Sequence, residues 1–174
     1  TGGGVTLSGG EATLQMDFAS QLLQALKREG IHTAIETSGF FDYAHFKDKL
    51  LPWLDLIYYD IKLIDDEASK QYCGQSNQRI LDNFCRLLTD AHIPIIPRIP
   101  LIPGITTTEE NLRGIAAFLD KHGVKSCALM PYNPLWSDKL RKLGLTPRYQ
   151  HSGFMTPAEQ AACARHFTKP HSSS

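Results

Sequence analysis

Residues 5–11 read Val-Thr-Leu-Ser-Gly-Gly-Glu, a β-prone apolar run that passes directly into Ser8-Gly9-Gly10-Glu11. A strand that ends on two glycines leaves its backbone carbonyls open at close range, because no Cβ stands in the way and glycine tolerates sharp turns. Glu11 adds a fixed negative charge beside them. Carbonyls and a carboxylate suit an ammonium group. A phosphate wants backbone N–H donors and a lysine, and the G-x-x-x-x-G-K-S/T loop that supplies them is absent. Taken alone, Gly-Gly-Glu also serves as a plain turn between a strand and a helix.

Outward from this turn the apolar pattern alternates between short β-type runs and amphipathic helices. Strands are predicted over 4–8, 31–37, 54–61, 93–101 and 125–131, and helices over 15–29, 42–51, 66–72, 77–91, 108–122 and 156–167. Helix 15–29 carries Phe18, Leu22, Leu23 and Leu26 on one face, with Asp17 early, Lys27 and Arg28 late as the macrodipole favours, and Gly30 as its C-cap. Helix 108–122 offers Leu112, Ile115, Phe118 and Leu119 as a buried stripe. Strand–helix alternation at this spacing means βα units on a parallel sheet, an α/β fold. The domain is expected over 1–167 with a disordered tail at 168–174, and no linker or internal repeat divides it.

Composition narrows the function. The 174 residues are enough for one domain or a large piece of one. Eighteen basic and eighteen acidic residues cancel, which argues against a nucleic-acid groove or an anionic membrane surface as partner. No apolar run reaches the roughly 18 residues of a membrane span, and no signal peptide is visible. The chain opens on Thr1-Gly2-Gly3-Gly4 without an initiator Met, as expected of a fragment or a processed product. Cys73, Cys85, Cys127 and Cys163 form no C-x-x-C spacing, so they are expected as reduced thiols in a cytoplasmic protein, with no local zinc or iron–sulfur motif. The seven histidines form no metal-binding pair.

Each predicted strand hands over to polar or special residues at its C-terminal end: Ser8 to Glu11, then Glu36-Thr37-Ser38-Gly39, Asp60-Ile61-Lys62, Arg98 followed by Pro100 to Gly104, and Pro131-Tyr132-Asn133-Pro134. Parallel α/β barrels build their active sites from these strand ends. Polar residues also mark the places where any strand leaves a core. That bland reading explains Asp60 and Lys62 poorly. They share one face of a strand that otherwise reads Leu54, Leu56, Ile57, Tyr58, Tyr59, and a charged pair there is costly unless satisfied.

These runs, from Gly2 to Ala12, Gly30 to Thr33, Glu36 to Gly39, Tyr59 to Lys62, Arg98 to Gly104 and Met130 to Tyr132, resemble in unbroken order the radical S-adenosylmethionine enzymes that activate glycyl radical enzymes, the pyruvate formate-lyase activating enzyme family. The resemblance implies a partial parallel (β/α) barrel of the radical SAM type, here without its first βα unit. It implies S-adenosylmethionine and a [4Fe–4S] cluster as cofactors, a glycyl radical enzyme as protein substrate, and reduced flavodoxin or ferredoxin as electron donor. It places Gly9, Gly10 and Glu11 at the methionyl amino group and Lys62 at the methionyl carboxylate. Ser38 would belong to the same ligand site, and Arg98 would face the ligand or the substrate peptide. Glu36, Thr37, Asp60 and the carbonyl of Tyr58 would line a monovalent-cation site. The family's C-x-x-x-C-x-x-C would lie before Thr1, so the fragment alone is expected to be inactive. Asn133 stands where the family has histidine near the nucleoside, and Glu36 where aspartate is commoner.

Two other functions fit the residues themselves. Lys62, with Asp60 as proton carrier, could form a Schiff base at a barrel strand end, as in aldolases. Alternatively the chain is a non-catalytic barrel remnant that binds a small molecule or a protein.

Overall fold

The computed structural model describes residues 3–135, 142, 144, 149, 151 and 153–167. Among them, β1 (Gly4–Leu7) leads through a short 3-10 turn (Ala12–Gln15) into α1 (Met16–Arg28), followed by β2 (His32–Thr37) and α2 (Tyr43–Lys49). A second 3-10 turn (Leu51–Trp53) precedes β3 (Leu56–Asp60), α3 (Asp66–Cys73), α4 (Gln78–Asp90), β4 (Ile95–Leu101), α5 (Glu109–Lys121), β5 (Ala128–Pro131) and α6 (Pro157–Ala164). The strands form one sheet in the order β1-β2-β3-β4-β5, with parallel registers that set Val5 beside Thr33, Ile35 beside Ile57, and Asp60 beside Arg98. The α/β fold with a parallel sheet is the one the alternation predicts, and β1 lies at an edge of it.

Element ends follow local chemistry. The side chains of Asp42, Asp65 and Thr108 accept the N–H of His45, Ala68 and Asn111 and so start α2, α3 and α5. Thr156 and Glu159 form a reciprocal capping box at α6. The strands are shorter than predicted because their flanking residues take up side-chain work. Asp55, read as strand, instead turns its carboxylate onto the N–H of Thr33 at 2.8 Å.

The chain divides into two compact units, Thr1–Arg98 with Ser126–Ala128, and Ile99–Lys125 with Leu129–Ser174. The division passes within β4 and β5, where no linker composition could mark it. In the first unit Leu23, Ile35, Phe46, Leu50, Ile57, Phe84 and Leu87 are fully buried. In the second, Leu101, Leu112 and Ile115 are buried.

Two helix stripes differ from expectation. In α1 the buried residues are Ala19, Ser20 and Leu23, whereas Phe18 is 64% exposed. The stripe is wider than the surface it packs on, so Phe18 and the still barer Leu14 border an open groove of about 620 Å³ that reaches Ser8, Gly10 and Glu11. In α5 Phe118 is half-buried and its ring lies 4.6 Å from that of His122.

The loop after β2 is pinned from beneath. Gly39 has φ +81°, and a Cβ there would fall 1.9 Å from the hydroxyl oxygen of Tyr59. That buried hydroxyl donates to the Ile80 carbonyl at 2.7 Å, and the Asn83 amide donates to the carbonyls of Gly39 and Phe41, both at 2.9 Å. Gly39→Ala combines a left-handed backbone with displacement of a packed ring, and should lower stability by about 3 kcal/mol in urea unfolding. A loss below about 1 kcal/mol would mean that Tyr59 moves aside freely.

Candidate functional site

The polar residues at the C-terminal ends of β1, β2, β3 and β4 gather into two clusters within the first unit. The first is built on Glu11. One carboxylate oxygen, Oε1, accepts the Thr13 N–H at 3.3 Å and the hydroxyls of Thr13 and Thr37 at 2.8 and 2.9 Å. The other, Oε2, accepts the Ser38 N–H at 2.8 Å and the Ser38 hydroxyl at 2.6 Å. The Thr37 hydroxyl in turn accepts the Gly39 N–H at 3.0 Å. Glu11 therefore ties the end of β1 to the end of β2 and also starts the first helical turn. Burial alone would raise its pKa, but the bonds from Ser38, Thr13 and Thr37 outweigh that, and the carboxyl sits below its ordinary value.

Beside this knot the backbone is open. Gly9 adopts φ +121°, and a Cβ at either Gly9 or Gly10 would meet no atom within 4 Å. The positive φ that the turn needs is at Gly9 alone.

The second cluster lies on one face of the sheet. Alternation along β2 turns Glu36 to the face opposite Thr37, and Glu36 shares its face with Tyr58, Asp60 and Arg98. Arg98 reaches from β4 across β3: Nη1 contacts Glu36 Oε1 at 2.7 Å, while Nε and Nη2 contact Asp60 Oδ1, both at 2.9 Å. The guanidinium passes 5.5 Å from the centroid of the Tyr58 ring. Lys62 Nζ faces the other Asp60 oxygen at 3.6 Å, with its side chain 38% exposed. Burial would lower the Arg98 pKa, and the bonds to Glu36 and Asp60 more than offset this, so the group is held cationic.

The residues read from the sequence thus assemble in part. Gly9, Gly10, Glu11, Thr37 and Ser38 meet at the ends of β1 and β2, and Glu36, Tyr58, Asp60, Lys62 and Arg98 on one face of β2, β3 and β4. Asn133 belongs to the second unit, where its Oδ1 accepts the Leu135 N–H at 3.0 Å in a local turn. Two details had no signal in the chain: that the Glu11 carboxylate is already occupied, and that Arg98 is the partner of both Glu36 and Asp60.

The glycine turn, with space around both Cβ positions, and the part-exposed Lys62 side chain suit a ligand that carries both an ammonium and a carboxylate. A metal cluster finds no such set: among the described residues no three His, Cys, Asp or Glu side chains are placed to hold a metal ion. The cysteines are free thiols, and burial raises the pKa of Cys127 and Cys163. Between Glu36 and Asp60 stands the Arg98 guanidinium, and the Thr37 hydroxyl donates to Glu11.

Residues 2–129 match the family model of the radical SAM superfamily. The chain belongs to the radical SAM superfamily. Over 142 residues it is 42% identical to an isethionate sulfite-lyase activating enzyme of Nitratidesulfovibrio vulgaris, which covers 80% of this chain and 45% of that protein. It is 36% identical to a trans-4-hydroxy-L-proline dehydratase activating enzyme of Clostridioides difficile, over 92% of this chain and 53% of that one. A crystal structure of a domain of pyruvate-formate lyase-activating enzyme from Bacteroides vulgatus superposes with TM-score 0.68 at 27% identity, covering 95% of this chain and 92% of that domain. The chain therefore spans about half the length of these curated relatives. Membership implies S-adenosylmethionine and a [4Fe–4S] cluster, and the fold is that of the radical SAM α/β sheet. Among the described residues no helix is long and apolar enough to cross a membrane.

Glu11→Gln places an amide NH₂ against donors that now meet a carboxylate oxygen, and should cost about 2 kcal/mol in urea unfolding. Because folding lowers the Glu11 pKa beneath its ordinary 4.5, the carboxylate's contribution is complete above that pH and fades as pH falls through the lower folded value. Acid titration of stability below about pH 4.5 should accordingly be shallower in Glu11→Gln than in the wild type. Equal slopes would show that Glu11 is not a pH-linked tie.

Proposed function

We propose that this chain supplies the S-adenosylmethionine-binding half of a radical SAM activating enzyme whose protein substrate is a glycyl radical enzyme. The observation that carries the reading is the pairing, in one compact unit, of an open Gly9-Gly10 turn with the ion pair of Asp60 and Lys62 at the end of β3. The carbonyls of Gly9 and Gly10 would accept the methionyl ammonium. Lys62 would donate to the methionyl carboxylate, and Asp60 would hold the lysine in place. Glu11, occupied by its own donors, would orient the turn rather than touch the ligand. Thr37 and Ser38 would act through it.

When bound together, the cluster and S-adenosylmethionine supply a strong abstractor of hydrogen atoms; this chain's residues bind, orient and neutralise the sulfonium ligand's methionyl end. The activating-enzyme relatives support a protein substrate, and a partner glycine is the target that the resemblance implies. By the same reading, reduced flavodoxin or ferredoxin supplies the electron, and the enzyme works in the cytoplasm.

In the full-length, cluster-loaded protein, Lys62→Ala should weaken S-adenosylmethionine binding about 10- to 100-fold, the worth of a charge-assisted hydrogen bond. Gly10→Val is a clean companion, since a Cβ there meets no atom within 4 Å and Gly10 has no positive φ. It should leave the unfolding midpoint nearly unchanged while abolishing calorimetric binding. Normal affinity in both variants would assign the turn and the ion pair to structure alone.

A further inference from the structure

The monovalent cation that the family resemblance implies between the second and third strands meets an obstacle in this chain. The two carboxylates that would hold it already share a positive charge. Asp60 and Arg98 are register partners on neighbouring strands, whereas Glu36 lies one strand further, beside Tyr58. Strands are spaced by about 4.8 Å, so only a long side chain can span from β4 to a carboxylate on β2. Arg98 does so with three nitrogens, at 2.7 Å to Glu36 and 2.9 Å to Asp60. Its side chain is 14% exposed and that of Asp60 is 17% exposed, so this is a mostly desolvated group. A planar guanidinium suits the bridge because its donors lie in a fixed fork that matches carboxylate oxygens, and because it can lie over the Tyr58 ring on the way. With Lys62 on the far oxygen of Asp60, two cationic side chains balance two carboxylates.

We propose that Arg98 is a built-in counter-ion that replaces a bound monovalent cation in this protein and holds Glu36 and Asp60 in place without one. It is a positioning residue, acting through the two carboxylates. The inference concerns the protein's own charges and is independent of the ligand assigned above, so its failure would leave that assignment standing.

Thermal midpoints of the chain at constant ionic strength in potassium, sodium and tetramethylammonium chloride test it. The wild type should unfold within about 1 °C of the same temperature in all three salts, as follows when no site favours the small cations. Arg98→Met leaves two facing carboxylates with Lys62 alone. Its midpoint should fall, and should then rise by about 3 °C or more in potassium or sodium relative to tetramethylammonium, the shift expected of a newly filled weak site. Glu36→Gln added to Arg98→Met should erase that rise. Arg98→Lys, which keeps the charge, should stay insensitive to the cation. A potassium- or sodium-specific rise in the wild type that Glu36→Gln removes would overturn the proposal, and would do so even if Arg98→Met failed to fold. A folded Arg98→Met with no cation response would also overturn it, because the carboxylates would then not be a cation site that Arg98 replaces.

Discussion

The geometry of the site depends on one carboxylate. Glu11 sits just beyond a strand that pairs on one side only, followed by two glycines with no side chains to fix them. Such a turn has many accessible conformations and would be a poor template for a ligand. Five donors, from Thr13, Thr37 and Ser38, hold the Glu11 oxygens and so fix where β1 ends relative to β2. Desolvating a carboxylate costs several kcal/mol unless its lone pairs are filled, and here they are. The same bonds place Gly39 where Tyr59 and Asn83 can pin it from below. Rigidity passes from a single anion to two strand ends and the loop between β2 and α2.

The two clusters treat their acids differently. Glu11 is neutralised by dipoles, the N–H and O–H groups of its neighbours, and carries no cationic partner among its hydrogen bonds. Glu36 and Asp60 are neutralised by full charges, Arg98 and Lys62. Dipoles fixed by backbone are hard to displace, so the first cluster is suited to shape. Charge pairs exchange partners more readily, because a ligand that brings its own carboxylate or ammonium can take the place of one member without leaving the other bare. Lys62 is the member of the second cluster most open to such an exchange: it is 38% exposed, against 14% for Arg98, and stands 3.6 Å from its acid, against 2.9 Å.

Much of this was legible in the chain. The alternation of apolar runs gave the α/β sheet, and the polar strand ends gave the residues of both clusters, because strand ends in a parallel sheet point to one rim. What the chain could not disclose was pairing. Nothing in the order Glu36, Asp60, Arg98 says which acid the arginine will choose, or that it will span both, since that follows from register and strand spacing. The resemblance groups Thr37 with Glu36, whereas period-two alternation sets the two side chains on opposite faces and the Thr37 hydroxyl donates to Glu11. Phe18 was read as core because it belongs to an apolar stripe. The stripe predicts a face, but not whether another layer lies against it, and Phe18 stands in the open. The division into two units was invisible for a similar reason, since it runs inside strands rather than through a polar linker.

Another carboxylate shows why ties of this kind need not make a site. At the other end of the strands, Asp55 accepts the N–H and hydroxyl of Thr33 at 2.8 and 3.2 Å and pairs with Lys27 of α1. Burial would raise its pKa, while the bonds from Lys27 and Thr33 lower it, as bonds from neutral donors do at Glu11. Asp55 thus stitches the start of β2 to the approach of β3, as Glu11 stitches the ends of β1 and β2, and β2 is held at both extremities. The two ties differ in what borders them. The Thr33 hydroxyl also donates to the Trp53 carbonyl at 2.6 Å, so the backbone beside Asp55 is spoken for, and Thr33 is fully buried. Beside Glu11 lie two glycines around which nothing stands within 4 Å of a Cβ position. A fixed anion next to occupied backbone is a structural clamp. A fixed anion next to an unfilled glycine turn is a clamp that also leaves backbone within reach of whatever approaches, and of these two ties it is the one at the C-terminal rim that has this combination.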